Sequence, residues 1–398
     1  MRVHDFLLDL AQIERSCSVV VSVIRLPTGH KILSTRFTRH KYSSSEQSMK
    51  ILHLANHCHF GNGNVHAAVD LACAQAKEGH EIVYGSSGGD FVELLSENHV
   101  RHVCVPQHSR SPQVLLQGLL KLRRLIAEFK PDIVHAHMMT GAVIAYPFTR
   151  FNRPKLVTTV HNSFDKHAIV MGLGDRVIAV SEAVATIMRD RGVSAKKIRT
   201  VLNGTLGAAR RGRQSAKPSD LPRPAITTVC GLHPRKGIDD LIAGFDIISK
   251  QHATANLFII GEGPCEDLYK KQAAALEHSD RVHFLGQLRD PNPYLLSTDI
   301  FVLASHSEPF GLVLTEAREA GCAIAASNVD GIPEVLAIGD AGIMFPPHEP
   351  VAIASALLSL LNNEKALQDS RISSLNRLEF FDIARVCRDT LDVYIGLI

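Results

Sequence analysis

The stretch Asp299–Gly321, DIFVLASHSEPFGLVLTEAREAG, decides the fold. Its first seven residues form a short apolar run, which predicts a strand buried on both faces of a parallel sheet. Glu308 and the turn Pro309-Phe310-Gly311 follow. The pattern then predicts a helix running on to Ala320 and stopping at Gly321, since Pro suits a helix entry and Gly the position past its end. Glu308 lies in the loop before this helix and Glu316 further along it. Free backbone N–H groups at a helix N-terminus bind phosphate, and two framing carboxylates are placed to grip hydroxyls. The combination predicts a site for a phosphorylated sugar, in particular a nucleotide sugar.

The same strand–loop–helix alternation extends outward in both directions. Strands are predicted at Ile51–Ala55, Glu81–Tyr84, His102–Val105, Ile133–Ala136, Leu156–Val160 and Arg176–Val180. Helices are predicted at His66–Glu78 and Val114–Phe129, and from Glu182 with Ser181 as its cap. Residues 204–224 are small, polar and proline-rich and read as a linker. A second series follows, with strands at Ala225–Cys230, Asn256–Ile260, Arg281–Leu285 and Ala323–Ser327. Such alternation predicts two doubly wound α/β domains with parallel sheets. The expected organisation is an extension over 1–48, a first domain over 49–207, a linker over 208–224, a second domain over 225–380 and a final amphipathic helix within 381–398. Ligands of such sheets bind beyond the carboxyl ends of the strands, so two facing domains predict a cleft there.

Composition excludes several classes. With 398 residues, 45% hydrophobic and 21% charged, the chain is long enough for two cores and ordinary for a globular protein. A formal charge of +3 and the absence of Trp argue against nucleic acid as a partner. The eight cysteines never form Cys-x-x-Cys and read as reduced thiols of a cytoplasmic protein. No apolar run reaches the roughly 18 residues of a membrane span. Residues 1–48 differ from the rest: no acid occurs from Ser16 to Ser45, while Arg25, Lys31, Arg36, Arg39 and Lys41 are spread through it. A disordered tail is the leading expectation, with a targeting peptide and a small structured appendage as alternatives.

Several residues beyond the opening stretch carry chemistry. His233-Pro-Arg235-Lys236-Gly237 lies between a strand and a helix, so Arg235 and Lys236 point to the cleft, where a cation would neutralise a departing diphosphate. A solvated basic turn is the competing reading. Gly61-Asn62-Gly63-Asn64 follows the first strand, and its glycines let backbone approach a phosphate or sugar closely. His161 directly follows a first-domain strand and faces the cleft. His135 alternates into the sheet and reads as a core residue. No Asp-x-Asp occurs, so no divalent-metal site of that kind is expected, and no other metal or cofactor is called for.

In order along the chain stand MKIL (49–52), KPDIVHAH (130–137), TTVH (158–161), VIAVSE (177–182), KIRTVLNG (197–204), PRKGI (234–238), FIIGEGP (258–264), EPFGLVLTE (308–316) and GIPEV (331–335). This ordered set resembles the retaining, nucleotide-sugar-dependent glycosyltransferases of family four, which have the GT-B fold. The resemblance implies two facing Rossmann-like domains with a last helix crossing back to the first. It implies metal-independent transfer of a hexose from a UDP- or GDP-sugar to a glycan or lipid-linked acceptor. Glu308 would contact donor-sugar hydroxyls, Glu316 the ribose hydroxyls, and the backbone of Gly311, Leu312 and Val313, next to Phe310, the diphosphate. Lys236 would stabilise the leaving phosphate, the Phe284-Leu285-Gly286 turn would lie near the base, and His161 close to the sugar. Gly63 and Asn64 fall in the loop that serves the acceptor.

Two positions depart from the pattern. The family's second diphosphate-binding arginine falls on Gly231, leaving Arg235 as the candidate substitute. A charge-assisted contact to an anion lost without replacement costs about 2–3 kcal/mol. The acid of the family's first loop is also absent, where this chain has Asn64-Val65. The helix over 114–129, with Lys121, Arg123, Arg124 and Lys130, is expected to cover the sheet as an ordinary surface helix, with peripheral contact to an anionic membrane as the alternative. A non-catalytic nucleotide-binding protein and a nucleotide-sugar epimerase are the other functional readings on this fold.

Overall fold

A computed structural model describes residues 19–25, 31–37, 48–107, 111–151, 154–211 and 217–398. The chain divides into Met1–Ser48 and Met49–Ile398. In the first unit, strands β1 (Val19–Arg25) and β2 (Lys31–Phe37) pair antiparallel. The remainder of that extension, and with it the expectation of a tail there, lies outside the described residues.

The second unit holds two parallel sheets. One contains β3 (Lys50–Leu54), β4 (Glu81–Ser86), β5 (Arg101–Cys104), β6 (Ile133–Ala136), β7 (Lys155–Val160), β8 (Arg176–Ala179) and β9 (Ile198–Thr200), in the order β5-β4-β3-β6-β7-β8-β9. The other contains β10 (Ala225–Val229), β11 (Asn256–Ile260), β12 (Val282–Gly286), β13 (Ile300–Leu303), β14 (Ala323–Ser327) and β15 (Ile343–Phe345), in the order β12-β11-β10-β13-β14-β15. The strands read as apolar runs because helices cover both faces: every residue of β13 and β14 is buried. In each sheet the strand order reverses once, between β3 and β6 and between β10 and β13. Loops leaving adjacent strands diverge at such a point and open a crevice. The basic turn around Lys236 follows β10, and the loop carrying Glu308 follows β13. Topology alone therefore brings the two motifs together.

The opening stretch folds nearly as its sequence predicts. The helix is shorter at its start, Leu312–Glu319, because Gly311 takes a left-handed backbone (φ +82) and serves as the entry in place of Pro309. The last helix, Ile383–Ile395, packs on the first sheet's side, where the Tyr394 hydroxyl lies 2.5 Å from His135 Nδ1.

Arg318, on the helix Leu312–Glu319, is fully buried. Its guanidinium donates to the carbonyl oxygens of Val335, Ile338, Ser374 and Asn376, each at 2.8 Å. Burial lowers its pKa to about 10, leaving it a cation at neutral pH. This fork fastens the helix of the opening stretch to the segment leading toward the C-terminus. Arg318→Met leaves four carbonyls, those of Val335 and Ser374 buried and those of Ile338 and Asn376 partly so, without their donor, and is expected to lower stability by about 3–5 kcal/mol. Arg318→Lys should recover only part, since an ammonium lacks the planar fork. Urea unfolding midpoints measure both, and a wild-type midpoint for Arg318→Met would remove the fork from the account.

Candidate functional site

The β10–helix connection is shaped by one glycine. Pro234–Lys236 forms a single 3-10 turn, and Gly237 (φ +61) then turns the chain into the helix Ile238–Gln251. A Cβ at Gly237 would stand 2.0 Å from the Ala304 carbonyl, so only glycine lets this turn nest against the end of β13. The His306 N–H donates to the Arg235 carbonyl at 2.8 Å, tying the two loops directly. As a result Lys236 Nζ forms an ion pair with Glu308 Oε2, both side chains being about one-tenth exposed. The Glu308 backbone is held from behind by Asp330, whose carboxylate accepts from the Glu308 N–H at 2.9 Å and from Ser307 Oγ at 2.7 Å.

Arg235, Lys236 and Glu308 line a cavity of about 370 Å³ between the two sheets. Glu308, Phe310, Gly311, Leu312, Val313 and Glu316 contribute from one side, with Lys236 and Arg235 beside them. Gly63, Asn64 and His161 contribute from the first sheet. Phe284 and Gly286 are not among the lining residues; Lys270 Nζ lies 5.9 Å from the Phe284 ring, and the following Gln287 and Leu288 reach the cavity instead. Leu312 and Val313 are the first residues of their helix, where amides lack intrahelical acceptors. Ser181 caps the helix Glu182–Asp190 as its sequence predicts, accepting from the Val184 N–H, and its hydroxyl also donates across the cleft to the Pro309 carbonyl at 2.7 Å.

Arg235 is committed elsewhere than at the position of the absent arginine. Its guanidinium lies 4.4 Å from the centre of the Phe164 ring, a cation–π contact with the first domain's side of the cleft. Gly231 faces the His233 ring, which a Cβ would meet at 3.3 Å. Cys230, beside it, is kept a neutral thiol by burial, which pushes its pKa to about 11.

His161 is buried and neutral, its pKa lowered by burial to about 4. Its Nε2 is 3.3 Å from His137 Nδ1, and His137 Nε2 is 2.9 Å from His53 Nδ1. His135 lies in the core as its alternation predicts, between Tyr394 and Thr159 Oγ1 at 2.6 Å. Two clusters among the described residues bring three metal-type donor atoms close together, His53/His135/His137 and Asp240/His306/His348. In the first, the ring nitrogens are already taken by hydrogen bonds. In the second, His306 Nε2 is hydrogen-bonded to Asp240 at 2.7 Å, behind the loop that carries Glu308.

Arg210 was not singled out by its sequence. It falls in the polar stretch read as a linker, yet its side chain is nine-tenths buried. Nε meets Asp70 Oδ2 at 2.7 Å, and an Nη meets Glu316 Oε1 at 2.6 Å. Arg211 pairs with Glu319 at 2.7 Å. Burial raises the Asp70 pKa to about 6 despite Arg210. At Glu316 burial pushes the same way but Arg210 and Arg211 outweigh it, holding the carboxyl below its usual value. The available signal was two adjacent arginines inside a run of small residues.

Removing Arg210 leaves two buried carboxylates facing each other. Arg210→Met is expected to cost about 3–5 kcal/mol at neutral pH. Asp70 supplies a sign for pH. Its folded pKa of about 6 exceeds the ordinary 3.8, so its contribution is full below about pH 4 and is lost as pH rises through about 6. Asp70→Asn should therefore flatten the stability profile across that window. Denaturant midpoints from pH 4 to 7 test this, and an unchanged slope would refute it.

Two family descriptions match in tandem: Glycosyltransferase Family 4 over residues 61–205 and Glycosyl transferases group 1 over residues 213–374. The glycogen synthase of Mycobacterium tuberculosis is 29% identical over 305 residues, covering 71% of this chain and 73% of that protein. The phosphatidyl-myo-inositol mannosyltransferase of Mycolicibacterium smegmatis is 32% identical over 165 residues, covering 40% of this chain and 42% of that protein. Among solved structures, HepE of Anabaena in complex with UDP-glucose superposes with a TM-score of 0.73 at 19% identity, over 88% of this chain and all of that one. With two facing parallel sheets, a cleft at both switch points and both family descriptions matched in order, the chain belongs to the group 1, family-four glycosyltransferases, enzymes of GT-B fold that transfer a sugar from a nucleotide sugar.

Proposed function

We propose that this enzyme transfers a hexose from a UDP- or GDP-sugar with retention of configuration, to an acceptor that carries an apolar moiety. The carrying observation is the convergence of Lys236, Glu308 and the helix start at Leu312 on one cavity with His161 opposite. Glu316 takes the ribose hydroxyls through the carboxylate oxygen that Arg210 leaves free. The amides of Gly311, Leu312 and Val313 meet the diphosphate at the positive end of the helix. Lys236 then exchanges Glu308 for the leaving phosphate, which frees Glu308 for the sugar hydroxyls. His161 and the helix start at Gly63 and Asn64 face the sugar and the acceptor.

The step breaks the bond between the anomeric carbon and the phosphate oxygen. The acceptor oxygen attacks from the face the phosphate leaves, and its proton passes to a phosphate oxygen. Charge accumulates on the departing diphosphate, where Lys236 and the helix dipole are already oriented. These groups are the chain's own, so the proposed step calls on no metal.

The acceptor reading rests on a second cavity of about 900 Å³ that shares His161 and Asn64 with the first. Its walls include Leu115 and Leu119 from the helix Pro112–Phe129, Val143 and Ile144 from the helix Met139–Thr149, Met138 just before it, and Met171 from the 3-10 segment Lys166–Leu173 after β7. Apolar walls beside the reacting centre favour a lipid-linked or alkyl-bearing acceptor over a free sugar. Leu116 and Leu120 are more than half exposed on the same helix, and Lys121, Arg123 and Arg124 lie alongside, which supports peripheral contact with an anionic lipid surface. No helix among the described residues is long and apolar enough to cross a membrane.

Lys236→Ala and Glu308→Ala are each expected to reduce transfer by roughly 100-fold or more with the fold intact. Wild-type turnover in both would overturn the site. A thermal-shift screen against UDP-, GDP- and ADP-sugars identifies the donor, since a ligand at about 100 times its Kd adds about 2.7 kcal/mol. Saturable nucleotide binding without turnover on any alkyl glycoside, lipid-linked or free sugar acceptor would favour a binding protein instead.

A further inference from the structure

Behind His161 runs a continuous line of buried hydrogen bonds whose protons have only one consistent arrangement for a given Gln75 orientation. Gln75 is fully buried in the helix Gly63–Lys77. Its Oε1 lies 2.7 Å from His53 Nε2 and its Nε2 lies 3.4 Å from the Tyr394 hydroxyl. An amide oxygen only accepts, so His53 carries its proton on Nε2 and presents a lone pair at Nδ1. His137 Nε2, 2.9 Å away, must then be the donor, which leaves a lone pair on His137 Nδ1. His161 Nε2, 3.3 Å from it, must donate in turn. The lone pair at the end of the line is His161 Nδ1.

The second branch is consistent with the first. The Gln75 amide donates to the Tyr394 oxygen, the Tyr394 hydroxyl donates to His135 Nδ1 at 2.5 Å, and His135 Nε2 donates to Thr159 Oγ1 at 2.6 Å. Turning the amide over would reverse every proton in both branches. All four imidazoles are kept neutral by burial, so none escapes the alternation by taking a second proton.

We propose that Gln75, acting through His53 and His137, is a positioning residue that fixes His161 in the tautomer protonated on Nε2, so that His161 presents Nδ1 to the reacting sugars as a hydrogen-bond acceptor. This inference rests on the role given to His161 above. A hydroxyl of donor or acceptor sugar then donates to His161, and no imidazole N–H competes for the oxygen lone pairs. The last helix takes part through the Tyr394 hydroxyl, which accepts from the Gln75 amide. The residues reach His161 from three places in the chain: Gln75, the β3 and β6 region with His53 and His137, and the C-terminal helix.

Nitrogen NMR on histidine-labelled protein reads each imidazole's tautomer directly, with His161→Asn identifying the His161 signal. The wild type should show His161 protonated on Nε2. Gln75→Leu should let both tautomers populate and lower kcat about 10- to 100-fold with KM for the donor little changed, the usual size for loss of a ligand-orienting partner. Gln75→Glu, whose protonated carboxyl accepts and donates in the same places, should restore both readouts. Should Gln75→Leu fail to fold, Gln75→Met serves, since its thioether fills similar space, is only a weak acceptor and should likewise let both His161 tautomers populate without touching the cleft. A wild-type His161 protonated on Nδ1, or a tautomer unchanged in the folded variants, overturns the relay. A shifted tautomer with unchanged kcat keeps the relay and overturns the role assigned to His161.

Discussion

A guanidinium buried between carboxylates from opposite sides of the cleft sets the terms for the rest. Arg210 joins Asp70 on the first sheet's helix to Glu316 on the helix of the opening stretch. Desolvating three charged groups is costly, and their mutual attraction offsets that cost only while geometry is kept. The backbone carrying Arg210 belongs to the connection between the two sheets. Its placement therefore fixes where that connection crosses the cleft. Other directional contacts agree with it: Thr205 and Thr315 share a hydrogen bond at 2.7 Å, and Glu334 accepts from the Glu182 and Ala183 amides at the start of a first-domain helix. Each specifies one setting of the sheets.

Much of this architecture was legible in the chain. Strands buried on both faces read as short apolar runs, and the helices between them showed one apolar face each. The exceptions have physical reasons. The helix Met139–Thr149 is apolar nearly all round and carries Pro147 in its last turn, so it offers neither an amphipathic period nor a clean stop. Strand β9 has three residues and lies at a sheet edge, where pairing rather than pattern makes the strand. The helix start moved from Pro309 to Leu312 because the left-handed Gly311 overrode the proline signal.

The site was legible wherever a residue followed a strand at a switch point. Lys236 and Glu308 do, His161 follows the next strand, β7, and strand ends are predictable. Arg210 does not; its position depends on how a polar segment folds back between two acids distant in sequence. The histidines show a second limit. With 21 in the chain, none stands out by type. What distinguishes His53, His135 and His137 is that adjacent strands β3 and β6 set them ring against ring, with centroids 4.1 to 5.4 Å apart. Register between strands far apart in sequence makes that stack, and a single strand's pattern carries no register.

The distribution of positive charge bears on how the site manages without an arginine at Gly231. Lys236 is paired with Glu308, Arg210 with two carboxylates, Arg211 with Glu319, and Arg235 rests on Phe164. Each of these four already has a partner, so at them an incoming diphosphate competes with contacts in place and gains only the difference. Arg235 yields most cheaply, because an exposed cation–π contact is worth about 0.5–1 kcal/mol against roughly 1.5–3 for a charged hydrogen bond. Phe164 is 44% exposed, in keeping with a contact of that modest kind. Arg210 yields least, being buried between two acids. On the proposed reading Arg235 is therefore the one of these four that turns toward the phosphate, while Arg210 stays and holds Glu316 for the ribose. On the same reading the charge missing at Gly231 is met from this neighbouring side chain at the cost of one aromatic contact and a long hydrogen bond to the Ser307 carbonyl at 3.4 Å, and the buried framework around it stays unchanged.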